Sequence, residues 1–396
     1  MSQAAAADQL SPETLSLRDE VIALRRDFHK HPELNFDLPR TSEKVASYLA
    51  DLGLRVETGL GKCGVIGMLE GGKPGPTALY RADMDALPLL EETGLEFASV
   101  NEGVMHACGH DGHVAVGLVL AKLMTEEKDK LPGKIGFLFQ PAEEGGGGAE
   151  AMIKDGALDI IKPDVCFAMH LNNDEEVGTV GARDGGVFAG SGEFFVKLSS
   201  PGGHGASPHQ TVDLVVTAAA MIDALQSVIS RNVDPRDNAV VTVGQIHIGT
   251  KENILATSGR FSGTIRYFDK SVNDQVVKRV EALLGGIAKT YGAGFEFEYA
   301  PGYPVTANDP GFAKMVRGAA EPVSHVSHFW TTGSEDMSYF LEKVPGCYYV
   351  VGTKNAAKGK MHAHHSGMFD IDEDALPLAV EVGARVLRTY LSQGTH

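Results

Sequence analysis

The side chains best able to do chemistry in this sequence fall in a few short stretches. "MHACGHDGH", residues 105–113, sets three histidines, a cysteine and an aspartate ahead of an apolar run. Three further stretches finish strand-like apolar runs in acids or imidazole: "ALYRADMDALP" in Asp83 and Asp85, "IGFLFQPAEEGGGG" in Glu143 and Glu144, and "VCFAMHLNN" in His170. Late in the chain, "MHAHHSGMFDIDED" supplies His362, His364 and His365. Thiolate, imidazole and carboxylate are the groups that bind divalent metals and move protons. A buried pair of adjacent carboxylates, as Glu143 and Glu144 would be, repels itself and raises its pKa values unless a cation sits nearby. The joint pattern predicts a metal site, with Cys108 and His110 at the mouth of a helix.

Such groups act together only if secondary structure converges them. Val114, Gly117, Leu118, Ala121 and Met124 recur at helical spacing, and Val116, Leu120 and Leu123 cover much of the remaining surface. This predicts a buried helix after His110, with Asp111 placed to cap it. From about residue 14 to 180, helical patterns alternate with short apolar strands, the signature of an α/β layer with a largely parallel sheet. Sites in open sheets of this kind assemble at the carboxyl ends of strands. The pattern changes near residue 190. "GEFFVKLSS" reads as a strand, 211–231 as a helix, "AVVTVGQIHIG" and "ILATSGRFSGTIRYF" as two strands, 271–290 as a helix and "FEFEYA" as a strand. That β-α-β-β-α-β order is ferredoxin-like. After "PGYPVT" the α/β character resumes, through "GCYYVVG" and a final helix at about 373–392. The expected organisation is an α/β domain of residues 1–187 plus 301–396, with a mixed, largely parallel sheet, interrupted by an α+β domain at 188–300.

Composition narrows the function classes. A chain of 396 residues fits roughly two to three domains. With 43% hydrophobic and 22% charged residues it reads as globular, and no run approaches the ~20 apolar residues of a membrane span. The start, "MSQAAAADQLSPETLSLRDEVI", lacks the basic and apolar regions of a secretory signal, so the expected compartment is the cytoplasm. Cys63, Cys108, Cys166 and Cys347 lack C-x-x-C spacing, against a disulfide framework or a zinc knuckle. A net charge of −17 argues against nucleic acid and anionic membrane as partners.

In order along the chain, "RRDFHKHPEL", "YRADMDALP", "MHACGHDGH", "FQPAEEGGGGA", "AMHLN", "GGHGASPH", "GTIR" and "HHSGMFDIDEDAL" resemble the successive motifs of the M20 family of metal-dependent amidohydrolases and peptidases. The branch they most resemble holds hippurate hydrolases and the plant indoleacetyl-amino-acid (IAA-amino acid) hydrolases. The resemblance implies a zinc-peptidase-like catalytic domain and an inserted lid that also makes a homodimer. It also implies two divalent ions per subunit, zinc or manganese, with cobalt or nickel as further alternatives. Carried over by position, it makes Cys108, His110, Glu144, His170 and His365 the metal ligands and Glu143 the general base, with Asp85 orienting a ligand or its neighbour. His204 would reach the partner subunit's site to stabilise the oxyanion, Arg266 would hold the substrate carboxylate as a guanidinium fork, and Asn253 would make a polar substrate contact. The implied activity is hydrolysis of the amide bond of small N-acyl or N-aroyl amino acids. His29, His31 and Glu33 match a signature of the branch but are read as structural, and His106 and His113 as packing groups or as groups that support the ligands from behind. Where the final motif commonly has proline this chain has Gly367, which predicts a more mobile loop around His365 and leaves the choice among His362, His364 and His365 open.

Three other readings compete. One is a dipeptidase or aminoacylase on the same fold. Another is a cysteine hydrolase using Cys108 with His110, but two residues of separation leave little freedom for a nucleophile and its base, and the glutamates would have no task. The third is a catalytically silent metal-binding protein, against which the presence of Glu143 argues.

Overall fold

Alternating apolar strands and amphipathic helices build two units in this computed structural model, which describes residues 10–393. One unit takes in the described residues up to Val187, Thr306–Trp330, and the described residues from Asp336 onward. The other is Phe188–Val305 with Thr331–Glu335.

The first unit is organised by an eight-stranded mixed sheet, in the order Arg55–Leu60, Gly64–Glu70, Pro132–Gln140, Lys73–Asp83, Val165–Glu176, Gly346–Lys354, Thr179–Gly181 and His325–Ser327. The central four, Pro132–Gln140 to Gly346–Lys354, run parallel. They are buried along most of their length, as parallel strands covered on both faces must be. The helix His110–Glu126 packs against the helices Arg18–Lys30 and Ala375–Gln393. All but three of its 17 residues are buried, which is why its sequence is apolar nearly all round.

Two local expectations change. Asp111 does not cap this helix: the N-cap is Gly109, at φ 90°, and makes no side-chain cap bond. Asp111 lies inside the first turn, where the buried cation Arg25 and the His29 ring take its carboxylate. The strand carrying His170 runs on to Glu176 instead of ending there. Its pairing with Lys73–Asp83 does stop at Arg81↔Ala168, so on that side His170 stands just past the paired part of the sheet.

The second unit is a four-stranded antiparallel sheet in the order Ala239–Ile248, Ser258–Tyr267, Gly190–Ser199 and Gly294–Pro301. Phe194, Val196, Leu198, Phe261 and Ile265 meet the helices Leu214–Asn232 and Lys270–Tyr291 in one core, giving the predicted ferredoxin-like order. The stretch "ILATSGRFSGTIRYF" is not one strand. Ile254–Leu255 leaves the sheet to pair with Gly203–His204, and Ser200 takes the carbonyls of Ala256 and Thr257 between the two parts. Among the described residues, Leu214–Asn232 is the one helix long and apolar enough by composition to cross a membrane. Its buried positions, Leu214, Thr217, Ala218, Met221, Leu225 and Val228, form the stripe of an amphipathic core helix, and Asp223 and Gln226 are exposed.

Candidate metal and catalytic site

Register sets the base of the site. Strands Lys73–Asp83 and Pro132–Gln140 are paired at Asp83↔Gln140, so the chain leaves both at one level, Asp85 from the first and Glu143 and Glu144 from the second. Asp85 accepts the backbone N–H groups of Glu143 (2.9 Å) and Glu144 (3.2 Å) on its two carboxylate oxygens. Its own carbonyl accepts Nδ1–H of His110 at 2.8 Å. One aspartate therefore clamps both glutamates and one imidazole. Of the glycines that follow, two are tightly packed: a Cβ on Gly146 would stand 2.3 Å from Asn35 Oδ1, and one on Gly148 1.6 Å from the carbonyl oxygen of Pro141, while Gly145 and Gly147 have open space.

Above this base the candidate groups converge. Cys108 Sγ lies 3.5 Å from His170 Nε2. Glu144 Oε1 lies 3.4 Å from His365 Nε2 and 3.9 Å from His110 Nε2, and Glu143 Oε2 is 4.0 Å from His110 Nε2. Three sets, Cys108–His110–His170, Cys108–Glu144–His365 and His110–Glu143–Glu144, each hold one donor atom per residue within 4.8 Å of one another. Cys108, His110 and Glu144 belong to two sets each, so the sets form one double cluster. The rings are oriented for coordination: His170 donates Nδ1–H to the Leu171 carbonyl (2.7 Å), which leaves its Nε2 lone pair facing Cys108.

The electrostatics call for positive charge. His110 Nε2 and Glu144 Oε1 are buried without a hydrogen bond. Contact with Cys108 and Glu144 pushes His365 up to about 10, so it holds a proton there. Burial disfavours a charged His110, yet Asp83 and Asp85 outweigh burial and hold its pKa well above the usual imidazole range. Burial and neighbouring imidazoles hold His170 well below that range. A thiol, three imidazoles and two carboxylates around buried unbonded donors fit divalent cations, which would take the place of these protons.

Side chains beyond the candidate ligands support the cluster. His113 accepts the Leu171 N–H at Nε2 (2.9 Å), so its Nδ1–H donates to Asp83 (2.5 Å). Asp83 also receives Arg81, which reaches Gln140 and Asp336 as well. Asp336 accepts the Ala149 N–H, just beyond the glycine run. Nothing in the sequence "TTGSEDMSYF" distinguishes Asp336 from a surface acid.

The three late histidines separate cleanly. His362 is exposed, and His364 accepts the Asn173 N–H at 3.2 Å and is held neutral, its pKa pushed down to about 3 by burial and by His365. Only His365 of the three joins a donor cluster. Its backbone sits at φ 63° and donates to the carbonyl of Ala107, beside Cys108. Nor is Gly367 a loose joint. Its carbonyl accepts Glu92 N–H at 2.8 Å, and a Cβ there would stand 2.6 Å from the Leu90 carbonyl oxygen.

Residues 79–389 match the sequence pattern described as "Peptidase family M20/M25/M40". The chain belongs to this M20 family. It is 38% identical over 376 residues to thermostable carboxypeptidase 1 of Saccharolobus solfataricus, covering 94% of this chain and 95% of that one. It is 37% identical over 372 residues to the N-acetyl-L-cysteine deacetylase of Bacillus subtilis, covering 93% and 88%. Its structure resembles the crystal structure of the Bacillus subtilis YXEP protein, a dinuclear metal binding peptidase from the M20 family, with a TM-score of 0.85, 32% identity, and coverage of 96% and 99%. Family, fold and clustered donors together make this chain a metal-dependent hydrolase of an amide bond, with a site for a pair of divalent ions.

In this M20 chain the remaining candidates lie in the second unit. His204, in the short ribbon with Ile254–Leu255, is exposed and accepts the Ala206 N–H at Nδ1 (3.0 Å), so its neutral ring carries a proton on Nε2. Asn253 accepts the Gly205 N–H on its carbonyl at the same ribbon. Arg266, on Ser258–Tyr267, is half-buried, and its guanidinium donates to the carbonyl of Ile265 (3.2 Å). The signature residues His29, His31 and Glu33 make structural contacts. His29 bridges Asp111 and Glu91, His31 bonds the Asp27 carbonyl, and Glu33 accepts the N–H groups of Arg40 and Thr41 at the start of the helix Pro39–Asp51.

Proposed function

We propose that the enzyme cleaves N-acyl or N-aroyl amino acids, of the hippurate or indoleacetyl-amino-acid kind, into a carboxylic acid and a free amino acid. The observation that carries this reading is Glu143, held by its backbone on Asp85 beside the double cluster. The relatives' names support the substrate class: a carboxypeptidase and an N-acetyl amino acid deacetylase both act on an amide whose nitrogen belongs to an amino acid with a free carboxylate. Arg266 suits that carboxylate, since a guanidinium binds it through two parallel N–H donors.

Cys108, His110, Glu144, His170 and His365 would hold the ions. When bound, these supply the acidity that makes water a nucleophile near neutral pH and the polarisation of the amide carbonyl. Thiolate and imidazole favour zinc, and carboxylates also suit manganese. Glu143 accepts a proton from the attacking water at a carboxylate oxygen and returns it to the leaving nitrogen. Asp85 keeps that carboxylate in place. His204 donates an Nε2–H hydrogen bond to the developing oxyanion of the partner subunit's substrate and keeps its proton. The homodimer forms through the inserted unit, whose edge strand Ala239–Ile248 carries the exposed Val240 and Ile246.

The test is product release from a panel of N-acetyl, N-aroyl and N-arylacetyl amino acids, with dipeptides and carboxylate-capped amides alongside, in zinc, manganese, cobalt or nickel. Cleavage of the uncapped N-acyl amino acids, lost in EDTA and insensitive to iodoacetamide when metal-loaded, is expected. Preference for dipeptides, or equal turnover of capped substrates, would overturn the substrate assignment.

A further inference from the structure

Arg25 takes no part in the chemistry above, yet it is among the largest fully buried side chains of the described chain, at 1% exposure. From the helix Arg18–Lys30 its guanidinium donates through three nitrogens to three carboxylates: Nε to Asp111 (2.8 Å), Nη2 to Asp370 (2.7 Å) and Nη1 to Glu373 (3.2 Å). One turn further along, His29 bonds the same Asp111 oxygen (2.8 Å) through Nδ1 and meets Glu91 through Nε2 (3.2 Å).

Asp111 and Asp370 belong to segments that carry donors of the cluster, and Glu373 continues the second of these segments. Asp111 directly follows His110. Asp370 lies five residues after His365, and its carbonyl accepts the side-chain amide of Asn173, three residues after His170. The same amide reaches the carbonyl of His362, and the Asn173 backbone N–H reaches His364. Glu91 stands in the loop that leaves Asp85, beside Glu92, whose N–H is held by Gly367. A buried ion is costly unless fully paired. This one is paired wholly to the frame that holds the donors, when a hydrophobic side chain could have filled the space.

We propose that Arg25, with His29 behind it, is a positioning residue for the metal site: its fork fixes the separation of the His110 and His365 segments, and with it the affinity for the divalent ions. The inference rests on the ligand assignment given above. A planar, five-donor guanidinium can bridge several carboxylates at fixed angles, and an ammonium cannot.

Arg25→Met takes the shared cation from three carboxylates and leaves them only His29, Lys360 and Arg26 as partners, which risks the fold, so the test uses Asp370→Asn and Arg25→Lys. Glu381→Gln is the control for general destabilisation, because Glu381 is buried in the same unit and bonded to Ser11, Thr14 and Arg385, away from every donor segment. Mn²⁺ affinity of each metal-free protein is measured against a chelating indicator, with thermal midpoints and with KM and kcat over a range of Mn²⁺. Asp370→Asn and Arg25→Lys are expected to bind Mn²⁺ about 10-fold more weakly. Their kcat should recover at high Mn²⁺ with KM unchanged, and Glu381→Gln should lose thermal stability but keep wild-type affinity. His110→Asn separates this inference from the ligand reading. Affinity within twofold of wild type in both test variants, beside lost affinity in His110→Asn, overturns the positioning role alone. Wild-type affinity in all three overturns the ligand reading and the inference with it.

Discussion

The two units treat their polar side chains in opposite ways. In the first, Arg25, Arg81, Asp83, Asp85, His110, Asp111 and His113 are all 1% exposed or less, and most have several named partners. In the second, His204 and Asn253 are exposed, and Arg266 is half-buried with one bond to its neighbour's carbonyl. Its ion pairs, such as Lys270–Asp274, sit at the surface. The difference follows from what each set of groups must do. Groups that concentrate charge around a cation need a rigid, low-dielectric frame, and every charge in that frame needs a partner. Groups proposed to meet a substrate can stay solvated until it arrives. The first unit is therefore preorganised around its donors, and the candidate substrate groups of the second are left accessible to solvent.

The sharpest break in this comparison is Glu143→Gln. The amide retains shape and hydrogen bonding but cannot take a proton, so turnover should fall by at least ~10²–10⁴-fold while metal content and thermal midpoint stay near wild type. Near-wild-type activity in metal-loaded mutant enzyme would remove Glu143 from the base role.

His204→Ala tests the second unit by the same measure. A donor that acts on the developing oxyanion should cost about 10²–10³-fold in kcat with metal content intact. When inactive Glu143→Gln and His204→Ala chains are mixed equally and exchange subunits, about a quarter of the sites should regain both wild-type groups by random pairing. Exchange without recovered activity would mean that His204 does not serve a partner.

The pH dependence sharpens the electrostatic half of the comparison. His365 is raised from 6.5 to about 10 by Cys108 and Glu144. A raised folded pKa stabilises the metal-free protein fully below about 6.5, and this contribution is lost as pH climbs through about 10. A divalent ion must displace that proton, so metal affinity moves the other way. The metal-free thermal midpoint should fall across this window while the gain on adding Mn²⁺ grows. A gain that is flat or shrinks with rising pH would contradict the charge assignment.

The smallest effect is expected from Lys270→Ala, which removes an exposed i,i+4 pair of the second unit. Solvent screens such a pair, so no measurable change in thermal midpoint is anticipated. A clear loss would show that the second unit depends on its surface charges.

Much of the frame is legible in residue spacing alone. The helix after His110 shows in its periodicity, and the second unit in its order of strands and helices, because hydrophobic spacing is a local property of the chain. The carboxylate pair and the chemistry it implies are equally local. Expectation and structure part where a distant group competes with a local rule. Asp111 has the type and position of a cap, but Arg25, 86 positions away, takes its carboxylate. Gly367 suggests mobility, and the packing of Leu90 and Glu92 against it ties the loop down.

The sequence by itself determined which elements form, the chemistry of their ends, and the family to which the chain belongs. Only the tertiary structure decided which of three neighbouring histidines faces Glu144, that Asp83 serves His113 and Arg81, and that Arg25 reaches Asp370 across 345 positions of chain. The reason is physical. Periodicity records which face of an element is buried, but a buried charge is placed by the partner it meets, and that partner is set by how elements far apart in sequence pack.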